Sequence, residues 1–101
     1  MVNLNAKTKV DPEDVVWVEG HVNYSKIYLK NHETIFLAMT LKKVVDKFDS
    51  DSFCRIHRSQ LVNLSYLSRF EITSNGLRFR DKCLPISRRR RDDFLRRTRN
   101  I

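Results

Sequence analysis

Short strand-like segments alternate with tight-turn signals along most of this chain, and this spacing limits the folds that it can form. Val15–Glu19 is β-branched and aromatic, which is typical of a buried strand. Residues 24–30 alternate between polar and apolar side chains, and Asn31-His32 fits a two-residue turn into another strand over 33–39. Parallel strands need long crossover connections, so segments this close together predict antiparallel pairing.

The same pattern continues in the second half of the chain. A strand-like run covers residues 53–67. Further along, Asn75-Gly76 between two strand segments is the strongest hairpin signal in the sequence, because both residues tolerate positive φ. Pro85 lacks an N–H group, which predicts that the strand over 83–86 lies at a sheet edge or ends in a bulge.

Two segments have helical rather than strand character. A helix capped by Thr40 should run to about Asp49. Its apolar residues recur at the helical period: Leu41, Val44, Val45 and Phe48. Ser87 is the expected cap of a second helix over 88–98. The residues thus predict a mainly β, antiparallel fold with a mid-chain helix and a short C-terminal helix.

Length and composition limit the architecture and the class of protein. The 101 residues support a single domain over 1–101, and 41% hydrophobic residues suffice for a modest core. No apolar run reaches the ~18 residues of a membrane span, and no signal-peptide core is present, so we expect a cytoplasmic protein without a membrane partner. Cys54 and Cys83 lack metal-binding spacing, so we expect two buried free thiols, no metal and no cofactor.

The distribution of charge is more informative than the net charge of +8. Residues 1–52 hold seven Lys, no Arg and eight acids, whereas residues 53–101 hold twelve Arg, one Lys and four acids. A guanidinium group can bind phosphate or guanine through two hydrogen bonds, whereas the ammonium group of Lys acts as a point charge. The asymmetry therefore indicates an anionic partner, nucleic acid first and an acidic membrane surface second.

Three segments hold the candidate contacts to such a partner. The loop over 19–26 brings hydrogen-bonding side chains close together, and Gly20 in it permits an unusual backbone angle. A cationic turn interrupts the run over 53–67, and four consecutive arginines open the C-terminal helix, where the helix dipole disfavours cations. The candidate residues are His21, Asn23, Tyr24 and Lys26 in the first segment, His57, Arg58 and Ser59 in the second, and Arg88, Arg89 and Arg90 in the third.

Each segment also has an ordinary structural interpretation. Tyr24 could be a half-buried strand aromatic, and its polar neighbours could be turn residues. His57 and Arg58 could pair with the carboxylate of Glu19 or Glu71 on a neighbouring strand. The arginine run could be a solvated charge run near the end of the chain.

Three other functions compete with binding of duplex DNA. An RNA-binding β domain would need an exposed aromatic trio, but Phe70, Phe79 and Tyr66 fit core positions. An enzyme could use Cys54 or His57, but these residues have no obvious third partner and no phosphate-binding loop is present. A membrane-surface or protein-binding module would need an amphipathic helix with bulky anchors, which the pattern does not show.

Four stretches, taken in order, resemble the LytTR DNA-binding domain, the output half of many bacterial response regulators. They are Trp17–Tyr24, Thr40–Lys42, Phe53–Asn63 and Leu84–Arg89. The most diagnostic part is His57-Arg58-Ser59 with Val62-Asn63, and the resemblance covers about residues 11–98. It implies a compact antiparallel β domain of about ten short strands in small sheets, whose loops rather than a recognition helix enter successive major grooves.

The resemblance also implies which residues contact DNA. They are the first loop over His21–Lys26, Arg58 with His57 and Ser59 beside it, and Arg88, Arg89 and Arg90 at the start of the last helix. Arg89 is the preferred base reader of the last group. Asn63 matches a family position as well, but it can serve the structure by bonding a turn.

We therefore predict a sequence-specific, double-stranded DNA-binding protein that regulates bacterial transcription and is not an enzyme. The family analogy suggests paired direct-repeat promoter sites occupied by two copies, which allows self-association on DNA. No receiver domain with a phosphoacceptor precedes the matched segment, so we expect an excised output domain or a free-standing regulator.

Overall fold

This computed structural model describes residues 1–99, which form ten strands in three antiparallel sheets and two α-helices. The strands are β1 (Val2–Asn3), β2 (Lys9–Val10), β3 (Val15–Gly20), β4 (Ser25–Leu29), β5 (Thr34–Leu37), β6 (Phe53–His57), β7 (Gln60–Asn63), β8 (Glu71–Ile72), β9 (Gly76–Phe79) and β10 (Lys82–Pro85). The helices are α1 (Leu41–Val45) and α2 (Arg88–Thr98). The mainly β prediction of about ten short strands is confirmed.

The central sheet has the strand order β5-β4-β3-β7-β6, so β3 lies in its middle. In the antiparallel ladder Val18 of β3 lies opposite Ile27 of β4 on one side and Leu61 of β7 on the other. All three side chains are buried. Because β3 and β7 are antiparallel, the loop that follows β3 and the loop that precedes β7 leave the sheet at the same end.

Each face of the central sheet covers its own hydrophobic core, because successive side chains of a strand point to opposite faces. Val18 packs in the first core with the β1–β2 hairpin and α1, through Leu4, Val10, Leu41 and Val44. Trp17 packs in the second core with the small sheet β10-β9-β8 and α2, through Leu77, Leu84 and Phe94. The domain is thus layered on both sides of β3.

The pairing of two strands is irregular where their side chains change face. Between Val15 and Trp17 the register against β4 shifts, so that Val16 and Trp17 both join the second core. A second shift, against β7, lies between Arg55 and His57. Such a bulge bends a strand and re-aims the side chains that follow it, in this case just before the cationic turn.

Helix α1 ends at Val45, short of the predicted end at Asp49. Beyond it, the N–H groups of Lys47 and Phe48 bond to carbonyls three residues back, which tightens the chain into a turn. Phe48 thereby packs its ring 4.7 Å from that of Phe53 in the first core. Packing against Phe53 thus overrides the helical period of the sequence.

The strand predicted over 53–67 is divided into β6, β7 and a 3₁₀ helix at Leu64–Arg69. The side chain of Asn63 begins that helix by accepting a hydrogen bond from the N–H of Ser65 (3.0 Å). The β1–β2 hairpin was not predicted, because it contains only two residues in each strand. The hairpin at Ser74-Asn75-Gly76, which joins β8 and β9, and the edge position of Pro85 in β10 are confirmed. Neither Asn75 nor Gly76 has a positive φ, so the backbone angle expected for that turn is wrong.

Asn63 is buried and joins three parts of the fold, so we predict that Asn63→Ala lowers the free energy of unfolding by about 2–3 kcal/mol. Its amide donates to the carbonyls of Val15 (2.8 Å) and Pro12 (3.2 Å), which would lose their donor. Urea unfolding measures the change. Asn23→Ala in an exposed loop is the matched control and should cost less than about 0.5 kcal/mol. Equal stability of the two variants would contradict this role of Asn63.

Candidate nucleic-acid interface

The loops that follow β3 and precede β7 lie side by side at one end of the central sheet. We call residues 21–24 the first loop and residues 57–59 the second loop. The N–H of Gly20 donates to the carbonyl of Ser59 (2.8 Å), and Glu19 lies opposite Gln60 in the ladder. Backbone pairing therefore joins two of the three candidate segments directly.

The two loops line an open groove of about 760 Å³, which we call the loop groove. The candidate residues that line it are His21, Asn23, Tyr24, His57, Arg58 and Ser59. Thr40, Lys42 and Arg55 line it as well. The start of α1 thus contributes to the same surface as the two loops.

Gly20 is needed because α1 comes close, not because of its backbone angle. Its φ is not positive, contrary to the expectation. A Cβ atom at this position would lie 2.6 Å from the Cβ of Leu41, which is far below a normal contact. The glycine therefore lets the end of β3 pack against α1 and fixes where the first loop begins.

The first loop is held by its own contacts. The N–H of His21 donates to the carbonyl of Tyr24 (2.8 Å), and the two rings stack with centroids 4.5 Å apart. The Nε2 atom of His21 also lies 2.9 Å from the carboxylate of Glu19. Asn23 and Val22 are left exposed at the tip. A preordered loop thus presents the amide of Asn23 to solvent.

Lys26 does not line the loop groove. Its ammonium group lies 4.9 Å from the ring centroid of Tyr28 and 5.4 Å from that of Phe36. Lys26 lies opposite Glu19 and Phe36 in the sheet, and so beside the first loop rather than in it. Tyr24 lies just before β4 rather than in a strand, and it is 37% exposed.

His57 and Ser59 order the second loop. The Nδ1 atom of His57 accepts a hydrogen bond from the N–H of Ser59 (3.1 Å) and lies 2.8 Å from its hydroxyl. A neutral ring therefore carries its proton on Nε2. Burial lowers the pKa of His57, and the charges of Arg58, Arg90 and Arg55 lower it further. The ring is neutral at neutral pH, and its Nε2–H is a donor.

Arg55 supports the second loop from the strand that leads into it. Its Nη2 donates to the carbonyl of Arg58 (2.7 Å), and its Nε donates to that of His57 (3.4 Å). Burial lowers the pKa of Arg55, and Arg90 and Arg89 lower it further. No sequence signal beyond its place three residues before Arg58 pointed to this role, because the contact depends on the turn geometry.

The start of α2 is attached to β6 next to the second loop. The N–H of Ser87 donates to the carbonyl of Ile56 (2.8 Å), and Phe94 anchors the helix in the second core. Ser87 occupies the predicted cap position, but its hydroxyl makes no capping bond. Arg88 and Arg89 are exposed and Arg90 is partly buried. The third candidate segment therefore lies beside the end of β6 in the folded protein.

The second and third segments lie close enough to interact electrostatically, since the charge of Arg90 lowers the pKa of His57 as well as that of Arg55. Within residues 1–99, the guanidinium groups of Arg58 and Arg88–Arg90 form no ion pair. The two carboxylates that could have paired with His57 or Arg58 instead contact other residues.

These partners are Glu19 and Glu71. Glu19 holds His21, and Glu71 accepts a hydrogen bond from Arg78 (2.5 Å). The alternative in which His57 or Arg58 pairs with one of them is therefore wrong. The positive charge at the second loop stays without a counter-charge from the part of the chain that the structure describes.

Other chemistry has little support in the described residues. No cluster of His, Cys, Asp or Glu in residues 1–99 could hold a metal ion. No helix in that range is long and apolar enough to cross a membrane.

Cys54 is a buried free thiol whose pKa is raised by burial, which opposes thiolate formation. Cys83 is exposed, contrary to the expectation, because it lies on edge strand β10 with its side chain opposite in direction to that of buried Leu84.

Comparison with known proteins points to one family. The family model described as the LytTr DNA-binding domain matches residues 5–98. A solved structure with a TM-score of 0.71 is the LytTr DNA-binding domain of a Bacillus cereus protein described as a methyl-accepting/DNA response regulator. The match covers 96% of this chain and 94% of that chain at 18% identity, so it concerns the fold. No curated protein is significantly similar.

We predict that the pKa of His57, followed by NMR, lies below the ordinary value of about 6.5. The unfolded chain then binds this proton at higher pH than the folded chain does, so the free energy of unfolding falls as the pH drops below about 6.5. His57→Gln should remove this part of the pH dependence. A pKa above the ordinary value would show that the ring is not desolvated by the second loop.

Proposed function

This chain belongs to the LytTR family of DNA-binding domains, and on that basis we propose that it recognises specific sequences in double-stranded DNA. DNA binding in the service of transcription regulation is the general role of the family. We propose further that residues 1–101 form one domain whose loops enter successive major grooves. We also propose that the protein acts in the bacterial cytoplasm.

One observation carries this proposal. Two loops with hydrogen-bonding side chains share the loop groove, and the start of α2 adjoins the second of them through the Ser87–Ile56 contact. Arg58 and Arg89 are exposed there and form no ion pair within residues 1–99. Exposed, unpaired guanidinium groups on adjoining segments are suited to bonding the phosphates and base edges of a duplex.

The proposed roles follow from the chemistry of each side chain. Arg58 and Arg89 read guanine through two hydrogen bonds, and His21 or Asn23 contributes a further base contact. The other candidates bind the phosphate backbone and release counterions. They are Tyr24, Lys26, His57, Ser59, Arg88 and Arg90.

Bound phosphate would relieve an unfavourable feature of α2. The first turn of this helix holds arginines and no acidic residue, although the N-terminus of a helix carries a partial positive charge. A phosphate near the helix N-terminus would bond its free N–H groups and offset the arginine charges. The same arginines therefore weaken the free protein and favour its complex with DNA.

Two copies are proposed to bind paired direct repeats on one face of the duplex. Their half-sites would be spaced by about 10.5 base pairs or a multiple, which is the helical repeat of DNA. Self-association would then occur on DNA. A compact domain that reaches successive grooves also favours some bending of the duplex.

Binding of single-stranded RNA remains the alternative. Phe70 is buried and Phe79 and Tyr66 are partly buried, so these rings do not form a stacking platform. Tyr24 and Phe36 are exposed with centroids 6.1 Å apart, and two such rings could stack bases. Competition between duplex DNA and single-stranded RNA of the same sequence decides between the two functions.

We predict that Arg58→Ala and Arg89→Ala each weaken binding to a selected cognate duplex by about 1–3 kcal/mol and relax the preference at one base pair. Arg78→Ala is the matched control, because Arg78 is held by Glu71 and does not line the loop groove. Fluorescence anisotropy with the cognate site and with single-base variants measures both effects.

Each alternative outcome has a distinct meaning. An equal loss on cognate and random DNA would reduce the residue to a phosphate contact. A loss for Arg78→Ala as large as that for Arg58→Ala would show that only overall charge matters. Retention of full affinity by the Arg58 and Arg89 variants would overturn the proposed interface.

We also predict a strong dependence of DNA affinity on salt. If about six phosphates are neutralised, the logarithm of the binding constant should fall against the logarithm of salt concentration with a slope of about −5. Titrations at four salt concentrations give this slope. A slope near zero would contradict the electrostatic basis of binding.

A further inference from the structure

Glu19 places a carboxylate directly behind a candidate DNA contact. Its Oε1 atom lies 2.9 Å from Nε2 of His21. His21 lines the loop groove, whereas Glu19 does not. In residues 1–99, His21 is the one group that bonds to the Glu19 side chain. A negative charge so close to a phosphate-binding surface opposes binding, so the role of Glu19 must lie in what it does to His21.

The contact with Glu19 determines which nitrogen of His21 carries the proton. A carboxylate can only accept a hydrogen bond, so Nε2 must be the donor. In the neutral ring the other nitrogen, Nδ1, then has no proton and is an acceptor. Nδ1 has no hydrogen-bond partner in residues 1–99, and the side chain is 39% exposed. The ring therefore brings a free acceptor to the loop groove.

The position of this ring is fixed as well as its proton. The rings of His21 and Tyr24 stack with planes 9° apart, and the N–H of His21 donates to the carbonyl of Tyr24 (2.8 Å). Behind them, the ladder holds Glu19 between Lys26 of β4 and Gln60 of β7. The acceptor is thus ordered before DNA binds, which lowers the entropic cost of recognition.

His57 in the second loop offers the opposite group. Its Nδ1 accepts the N–H of Ser59 (3.1 Å), so its free atom is the Nε2–H donor. Both histidines have the proton on Nε2, but each uses a different nitrogen for its internal bond. One groove therefore contains one histidine that can donate and one that can accept.

We propose that Glu19 makes the first loop selective for a base with an exocyclic amine, adenine or cytosine, by holding His21 as a hydrogen-bond acceptor. This inference rests on the proposed recognition of duplex DNA. In the major groove, N6 of adenine and N4 of cytosine donate, whereas guanine and thymine present only acceptors. Nδ1 of His21 can bond the first two bases and not the others. Glu19 is a positioning residue, because it acts through His21.

The proton positions are measured first, on the whole protein without DNA. Nitrogen-15 NMR spectra that correlate the ring nitrogens with the carbon-bound ring protons show which nitrogen of each histidine is protonated. At slightly alkaline pH, we expect His21 to be protonated on Nε2 alone. A proton on Nδ1 of His21, alone or in addition, would overturn the proposal whether or not the protein binds DNA.

Glu19→Gln tests the role of the carboxylate in the same spectra. The amide of Gln can turn either its oxygen or its NH₂ group towards the ring, so both tautomers of His21 should now be populated. The signals of His57 should stay unchanged, which shows that the fold is intact. A His21 ring that stays protonated on Nε2 alone in this variant would overturn the role of Glu19.

The base is then identified by selection from random duplexes, as the one whose preference is lost in His21→Ala. We expect adenine or cytosine at this position. Nebularine in place of adenine, or zebularine in place of cytosine, removes the amine and should weaken binding by about three- to tenfold, as for the loss of one hydrogen bond. The same analogue should have no further effect on His21→Ala, because the contact is already lost.

Two glutamate variants complete the experiment. Glu19→Gln and Glu33→Gln each remove one negative charge, but Glu33 lies on the turn between β4 and β5, outside the loop groove. Glu19→Gln should reduce the effect of the analogue to less than about twofold, whereas Glu33→Gln should keep it in full. Guanine or thymine at the selected position, or a full effect in Glu19→Gln, would overturn the proposal.

Failure of the proposed function has a different signature. A protein that binds all duplexes equally, although His21 is protonated on Nε2 alone, would overturn sequence recognition and this selectivity with it. Sequence-specific binding combined with a proton on Nδ1 of His21 would overturn the selectivity alone.

Discussion

The position of β3 between β4 and β7 is the constraint on which the rest of this structure depends. Pairing on both edges buries the strand and separates the two cores at Trp17 and Val18. The same pairing carries Gly20 to the carbonyl of Ser59, so that two loops distant in sequence form one groove. A shift of one residue in this register would exchange the side chains of the two faces, and it would break the hydrogen bond between Gly20 and Ser59 that joins the two loops.

Positive charge is concentrated at the end of the central sheet at a cost to the free protein. Arg55 is partly buried beneath the second loop, beside Arg89 and Arg90, and the pKa of Arg55 is lowered as a result. Its guanidinium group nevertheless holds the carbonyls of His57 and Arg58. Repulsion between these arginines disfavours the free protein, and a bound anion relieves it. A surface that binds the phosphates of DNA has this property.

Local signals were predictable from the sequence, and contacts between distant segments were not. The strand periods, the cap at Thr40 and the hairpin between β8 and β9 depend on neighbouring residues, and the structure confirms them. Six of the ten candidate residues line one groove. The need for glycine at position 20 was not predicted, because it depends on how closely α1 approaches β3. The role of Arg55 was not predicted either, because it depends on the shape of the turn that follows β6. The early end of α1 likewise follows from packing across the core.

We propose that the first loop, the second loop and the start of α2 all face one duplex. The most direct measurement is the NMR footprint of a duplex selected from random sequences, read from backbone amides and arginine Nε–H groups. We expect the largest shifts in residues 21–24, 57–59 and 88–90, with little change in β8–β10. Shifts centred on β8–β10, or confined to one of the three segments, would contradict it.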